Sequence, residues 1–212
     1  MFYLITDQDN KSWREVQWAE NVTHEEENPN YHFTVYNSPQ TAVYMYPSYE
    51  RTIINPKLWE CSATNPSRSE GFRSKFPKLT SLREFNIAMP TNEQRITFSI
   101  LCCLNTVTNP FFKEWSIKYL KGEDQTPESA FKMNEKLLSY LDTTWAGTPS
   151  HEYTNCCHAI LTAIAINEPL ILPASAAQRA YYDSLEFTQE LNLEQTAQIV
   201  NIMPAAEIAA LL

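Results

Sequence analysis

Hydrophobic positions change rhythm near residue 90. Before it they form short runs that alternate or cluster; after it they recur every three or four residues over longer stretches. In the first part, Phe2 to Thr6 is a short apolar run, and Tyr31-His-Phe-Thr-Val-Tyr36 alternates and is rich in strand formers. Lys57-Leu-Trp-Glu-Cys-Ser-Ala63 and Leu82-Arg-Glu-Phe-Asn-Ile-Ala-Met89 read as two more strands. Ser38-Pro39 pairs an N-cap residue with a proline at the first helical position, which predicts a short helix from Pro39 to about Tyr46. Residues 20–30 and 64–81, polar and carrying Pro29, Pro66 and Gly71, read as exposed loops.

The second part is helical. Thr91-Asn-Glu-Gln94 is a capping box. The helix it opens, over 92–107, places Ile96, Ile100, Cys103, Leu104 and Val107 on one face and Phe98, Leu101 and Cys102 on much of the rest, the pattern of a central buried helix. Asn109-Pro110 starts a second helix that ends at Lys121, with Gly122 just past it. Thr126-Pro127 starts a third, striped by Ala130, Met133, Leu137, Leu138, Leu141 and Trp145 and closed by Gly147. Thr148-Pro149 starts a fourth, Ser175 caps one reaching Leu185, and two more cover 189–202 and 205–212. Proline spacing follows the same division: a step of 8 to 13 residues from Pro29 to Pro90, then wider gaps that leave room for helices. The fold class expected is α+β: a small N-terminal sheet with one short helix over 1–90, packed on an array of about six helices over 91–212.

Composition narrows the function. The chain has 212 residues, 43% apolar and 19% charged, as in globular proteins. The start, Met1-Phe-Tyr-Leu-Ile-Thr-Asp, lacks a signal-peptide pattern, and no run approaches the roughly 18 apolar residues of a membrane span, so a cytoplasmic protein without membrane contact is expected. Five cysteines, two adjacent pairs among them, do not form a secreted disulfide framework and read as reduced thiols. Three glycines are too few for a Rossmann fingerprint, a P-loop or a nucleophile elbow. Net charge is −9, which argues against broad nucleic-acid binding. The sign reverses locally: residues 61–90 carry five basic and two acidic groups, whereas 148–212 carry one basic group, Arg179, and seven acidic ones.

Most clusters that could carry chemistry have a plainer explanation. Cys156-Cys157-His158 sits on a predicted helix, where neighbours diverge by about 100° and cannot form a thiolate pair. His151 and His158 lie two turns apart, roughly 10 Å along the axis, too far for one metal ion. No catalytic residue, metal or cofactor is therefore assigned. The aromatic residues concentrated between Trp13 and Trp59 are expected to pack in the core. The basic island Arg68, Arg73, Lys75, Lys78 and Arg83, interleaved with Phe72 and Phe76, has the best claim to bind an anion or a partner, because it inverts the charge around it. A second candidate surface is the apolar stripe Leu191, Ala197, Val200, Ile208 and Leu211, able to pair with its own copy in a homo-oligomer. An alternative enzymatic or nucleotide-binding reading would combine His32, Tyr36 and Arg51 with a carboxylate such as Glu60 or Glu84.

Three segments together, Phe33-Thr-Val-Tyr-Asn-Ser-Pro39, Leu58-Trp-Glu-Cys-Ser-Ala63 and Arg95-Ile-Thr-Phe-Ser-Ile-Leu-Cys-Cys-Leu104 leading to Trp115-Ser-Ile-Lys-Tyr-Leu-Lys-Gly122, resemble uncharacterised accessory proteins of tailed bacteriophages. The resemblance covers about half the chain and rests on packing motifs. It implies a phage origin, a bacterial host cytoplasm and action by binding a protein partner, such as a host or defence factor, and it carries over no catalytic residues. The function expected is a non-enzymatic protein that binds another protein.

Overall fold

The computed structural model describes residues 1–12, 15–28, 30–45, 55–69, 72–104, 109–144, 159–161, 163 and 193–212. The chain divides into two compact units, Met1–Met89 and Pro90–Leu212.

The first unit is built on a sheet of β1 (Phe2–Thr6), β2 (Thr23–Glu25), β3 (Phe33–Tyr36), β4 (Lys57–Ser62), β5 (Arg68–Ser69), β6 (Arg73–Phe76) and β7 (Lys78–Phe85). Its order is β2-β7-β4-β1-β3-β6-β5, and every pairing is antiparallel. β6 and β7 are joined by Pro77 alone, so Phe76 and Lys78 lie within about 7 Å. In a flat sheet of this order four strand spacings, about 19 Å, would separate them. The sheet therefore curls until its flanks meet at Pro77, beyond ordinary strand twist. Leu4, Phe33, Val35, Trp59, Cys61, Phe76 and Leu79, drawn from strands across the sheet, close into one cluster with Trp18. The indole of Trp18 donates to Ser12 Oγ at 2.7 Å, and that of Trp59 to Thr6 Oγ1 at 3.2 Å, so both aromatic bodies are buried without an orphaned N–H. Helix α1 (Pro39–Met45) packs against β1, β3 and β4. Ser38 caps it, its Oγ accepting the Thr41 amide at 3.1 Å.

In the second unit the described helices are α2 (Asn92–Leu104), α3 (Pro110–Leu120), α4 (Pro127–Thr144), α5 (Leu193–Ile202) and α6 (Ala205–Ala209). Thr91 and Gln94 form the reciprocal capping box, with Gln94 N–H to Thr91 Oγ1 at 3.2 Å and Thr91 N–H to Gln94 Oε1 at 2.9 Å. α2 is buried nearly all round and packs against α3 and α5, while α3 also meets α4 and α6.

The expectation of a small sheet set beside about six helices is overturned. The sheet is large, with seven strands, and the helices are few and mostly short, five in the second unit among the described residues. The physical reason lies in β2, β5, β6 and the first half of β7, all within segments read as loops. They have two to four residues each or carry Lys, Arg, Ser and Thr, so their own sequence gives little strand signal and their pairing is imposed by neighbours. The last predicted strand also starts four residues earlier than its expected start at Leu82, and Asn86–Met89 lie beyond it. The helices expected from Thr148 and from Ser175, and the turns at Gly71 and Gly147, lie outside the described residues, apart from the helical residues 159–161 and 163.

Candidate functional site

The basic island lies on three strands. Arg68 on β5 stands directly opposite Lys75 on β6, and Arg73, two residues before Lys75, shares its face. Three cations thus share one patch at the edge of the sheet, with Arg68 exposed and the other two half-buried. The hairpin that carries them is tied by Ser67, whose N–H and Oγ both donate to Lys75 O at 2.9 Å, and by Ser69 Oγ against Ser74 Oγ at 3.2 Å. Arg73 also places its guanidinium 5.7 Å from the centre of the Phe72 ring.

The other two cations of the island sit elsewhere. Lys78 Nζ meets Glu25 Oε2 at 2.7 Å across the β2–β7 pair, with both side chains more than half exposed. Arg83 Nε meets Glu60 Oε2 at 2.6 Å across β4–β7. Here the carboxylate is 11% exposed and the guanidinium 64%, so the sheet buries one half of the pair and leaves the other in water. The hydrogen bond to Glu60, together with its charge, pushes the Arg83 pKa above its ordinary value.

Register joins these residues into a row across five strands: Arg83 opposite Glu60, Glu60 opposite Tyr3, Tyr3 opposite Tyr36, and Tyr36 opposite Arg73. Phe85 packs edge-on to Tyr3 at 5.3 Å. Burial raises the Tyr3 pKa, the Glu60 charge raises it further, and Arg83 opposes both. Burial pushes the Tyr36 phenol up to about 12, against the pull of Arg73, and its hydroxyl donates to Met45 O at 3.4 Å under α1. Sequence reasoning did not find this row, because cross-strand register depends on partners distant in the chain. Its one local signal was Glu60, a carboxylate inside an otherwise apolar strand.

Of the parts of the enzymatic alternative, Tyr36, Glu60, Glu84 and His32 lie among the described residues. The Tyr36 hydroxyl is engaged beneath α1, and Glu60 is held by Arg83. Glu84 stands opposite Trp59, on the other face from Glu60, and meets Lys57 at 3.9 Å. His32 is half-buried, and Arg51 lies outside the described residues.

The apolar C-terminal stripe is split. Ala197, Val200 and Ile208 are buried, Leu211 is 74% exposed, and Leu191 lies outside the described residues. The exposed apolar side chains of this region are Ile199, Ile202, Leu211 and Leu212. Cys61, Cys102 and Cys103 are buried and in no disulfide, while Cys156, Cys157, His151 and His158 lie outside the described residues. Among the described residues no group of His, Cys, Asp and Glu is placed to hold a metal ion, and no helix is long and apolar enough to cross a membrane.

Comparison with protein-family models, with curated proteins and with solved structures finds no match to this chain.

Proposed function

We propose that this is a non-enzymatic binding protein that recognises an acidic surface of a partner protein through Arg68, Arg73 and Lys75. The observation that carries the reading is the cross-strand juxtaposition of Arg68 and Lys75 with Arg73 on the same face. Two cations directly opposite on an edge pair, with a third on the same face, concentrate positive charge in one small patch, which suits a compact acidic contact. The patch is positive within a chain of net charge −9, which favours a local acidic contact and disfavours a long phosphate backbone. A phage-encoded accessory protein would meet such a partner in its host cell.

The test is retention of partners from bacterial lysate on the immobilised chain, at low salt and at about 0.5 M salt, where the Debye length falls below about 5 Å. The parent chain is compared with the R68A/R73A/K75A triple variant. Retention of a specific acidic protein that is lost in salt and in the triple variant is expected, with thermal stability of the variant close to the parent. Retention indifferent to both changes would place the interface elsewhere. A large fall in melting temperature would make these side chains structural, their stems packed on the aromatic core.

A further inference from the structure

The longest acidic run of the chain, Glu25-Glu26-Glu27, is held close to the basic edge, and Pro77 sets the spacing. The Glu26 N–H donates to Pro77 O at 2.8 Å, and Glu25 stands opposite Lys78, the next residue. Lys75 precedes Pro77 by two residues, within about 7 Å along the backbone, with Arg68 across from it and Arg73 two residues further back. Phe76 and Leu79 are buried in the core cluster, so their neighbours Lys75 and Lys78 face outward, and Glu25 faces outward with Lys78. Exposure alternates along the run: Glu25 and Glu27 are exposed and Glu26 is half-buried, as in an extended segment with its first and third side chains in water. A negative run and a positive trio therefore both lie on the outer surface around Pro77.

This arrangement limits what fits. A partner that is acidic throughout gains at Arg68, Arg73 and Lys75 and loses at Glu25 and Glu27. The complementary surface carries negative and positive groups side by side in the reverse order. A second copy turned about a two-fold axis presents that order, and each charge contact is then made twice. The Lys78–Glu25 pair is no obstacle, because both side chains are more than half exposed and such a pair exchanges partners at little cost. Net charge of −9 on each copy opposes the approach at long range, so the association is weak and local.

We propose that Arg68, Arg73 and Lys75 of one copy dock on the Glu25-Glu26-Glu27 run of a second copy, and reciprocally, joining two chains in a two-fold dimer. The proposal rests on the reading of the basic edge as a receptor for an acidic surface, and it names that surface.

Sedimentation equilibrium of the full chain, from micromolar to millimolar concentration, tests it. A monomer–dimer equilibrium is expected at low salt, with its dissociation constant raised at least about tenfold in about 0.5 M salt. Charge reversal adds a second arm. The R68E/R73E/K75E variant and the E25K/E26K/E27K variant should each sediment as monomers, and an equimolar mixture of the two should form a one-to-one dimer, because both reciprocal contacts are restored. The single changes Lys75→Glu and Glu27→Lys follow the same scheme with less demand on folding, and melting temperatures check that every variant is folded. A parent chain that stays monomeric to millimolar concentration would overturn the proposal. So would a dimer indifferent to salt and to both single changes, or a mixture of the variants that forms no dimer. The reading of the basic edge is scored separately, by retention of an acidic lysate protein on Glu27→Lys, which keeps all three cations. Retention there with no dimer in the parent overturns the dimer alone, and absence of both overturns both readings.

Discussion

Gly122 closes α3 with φ of +78°, and two amides complete the ending: Gly122 N–H to Tyr119 O and Glu123 N–H to Lys118 O, each at 3.0 Å. This is a Schellman motif, and it explains why glycine stands there. Nothing lies within 4 Å of a Cβ added at Gly122, so Gly122→Ala should lose only the left-handed backbone preference, about 1 kcal/mol in urea unfolding. At the other end of the helix, Asn109 Oδ1 accepts from the amides of Phe111 and Phe112, both at 3.0 Å, and Asn109→Ala should cost about 1 kcal/mol. Buried acids add a pH dependence. Burial holds the Cys61 thiol up at about 12, from 9.0, and the Tyr36 phenol at about 12, from 10.0. The unfolded chain therefore releases these protons first as pH rises. The stability they contribute is fully present below about pH 9 and is lost as pH climbs towards 12. Urea midpoints should fall across that window, and less steeply in Tyr36→Phe; a parent midpoint flat from pH 9 to 12 would contradict the buried, protonated assignment. The Cys61 and Cys102 thiols, both raised by burial, should resist alkylation at pH 8 until the chain unfolds.

At the scale of elements, whatever is written locally could be read from the sequence. Helix starts at Ser38, Thr91, Asn109 and Thr126 each announce themselves by a cap three or fewer residues before its amide partner, and all four caps form. Strands β1, β3 and β4 are apolar enough to be read as strands. β5 and β6 were illegible because their side chains are Arg, Ser and Lys, with only Phe76 contributing a large apolar group. What makes β6 a strand is its ladder to β3, Phe33 opposite Phe76 through Tyr36 opposite Arg73, together with the enclosure of Phe76 beside Phe2 at 4.7 Å. The five cations of the candidate site were legible as a cluster in sequence, but their separation into Arg68, Arg73 and Lys75 at the edge and Lys78 and Arg83 on β7 was not, because it depends on which strand each one pairs with. The energetic weight of the two sides of Pro77 should differ accordingly. Phe76→Ala empties a fully enclosed position and should cost about 3–5 kcal/mol. Lys78→Ala removes an exposed pair and should fall within about 0.5 kcal/mol of the parent in the same urea series.

Taken as a whole, the molecule is acidic with one basic edge. Its net charge of −9 keeps general anions at a distance, while Arg68, Arg73 and Lys75 concentrate positive charge on two short strands at the margin of a curled sheet. Such a distribution selects a compact acidic contact by geometry and makes its strength depend on salt. Backbone amide chemical-shift mapping during titration with poly-L-glutamate tests this most directly, because it reports where the contact forms. Shifts concentrated in residues 68–69 and 72–76 at low salt, abolished in about 0.5 M salt where screening is nearly complete, are the expected result. Shifts that are absent at low salt, or that gather in the helical unit and leave these strands unchanged, would contradict recognition through the basic edge.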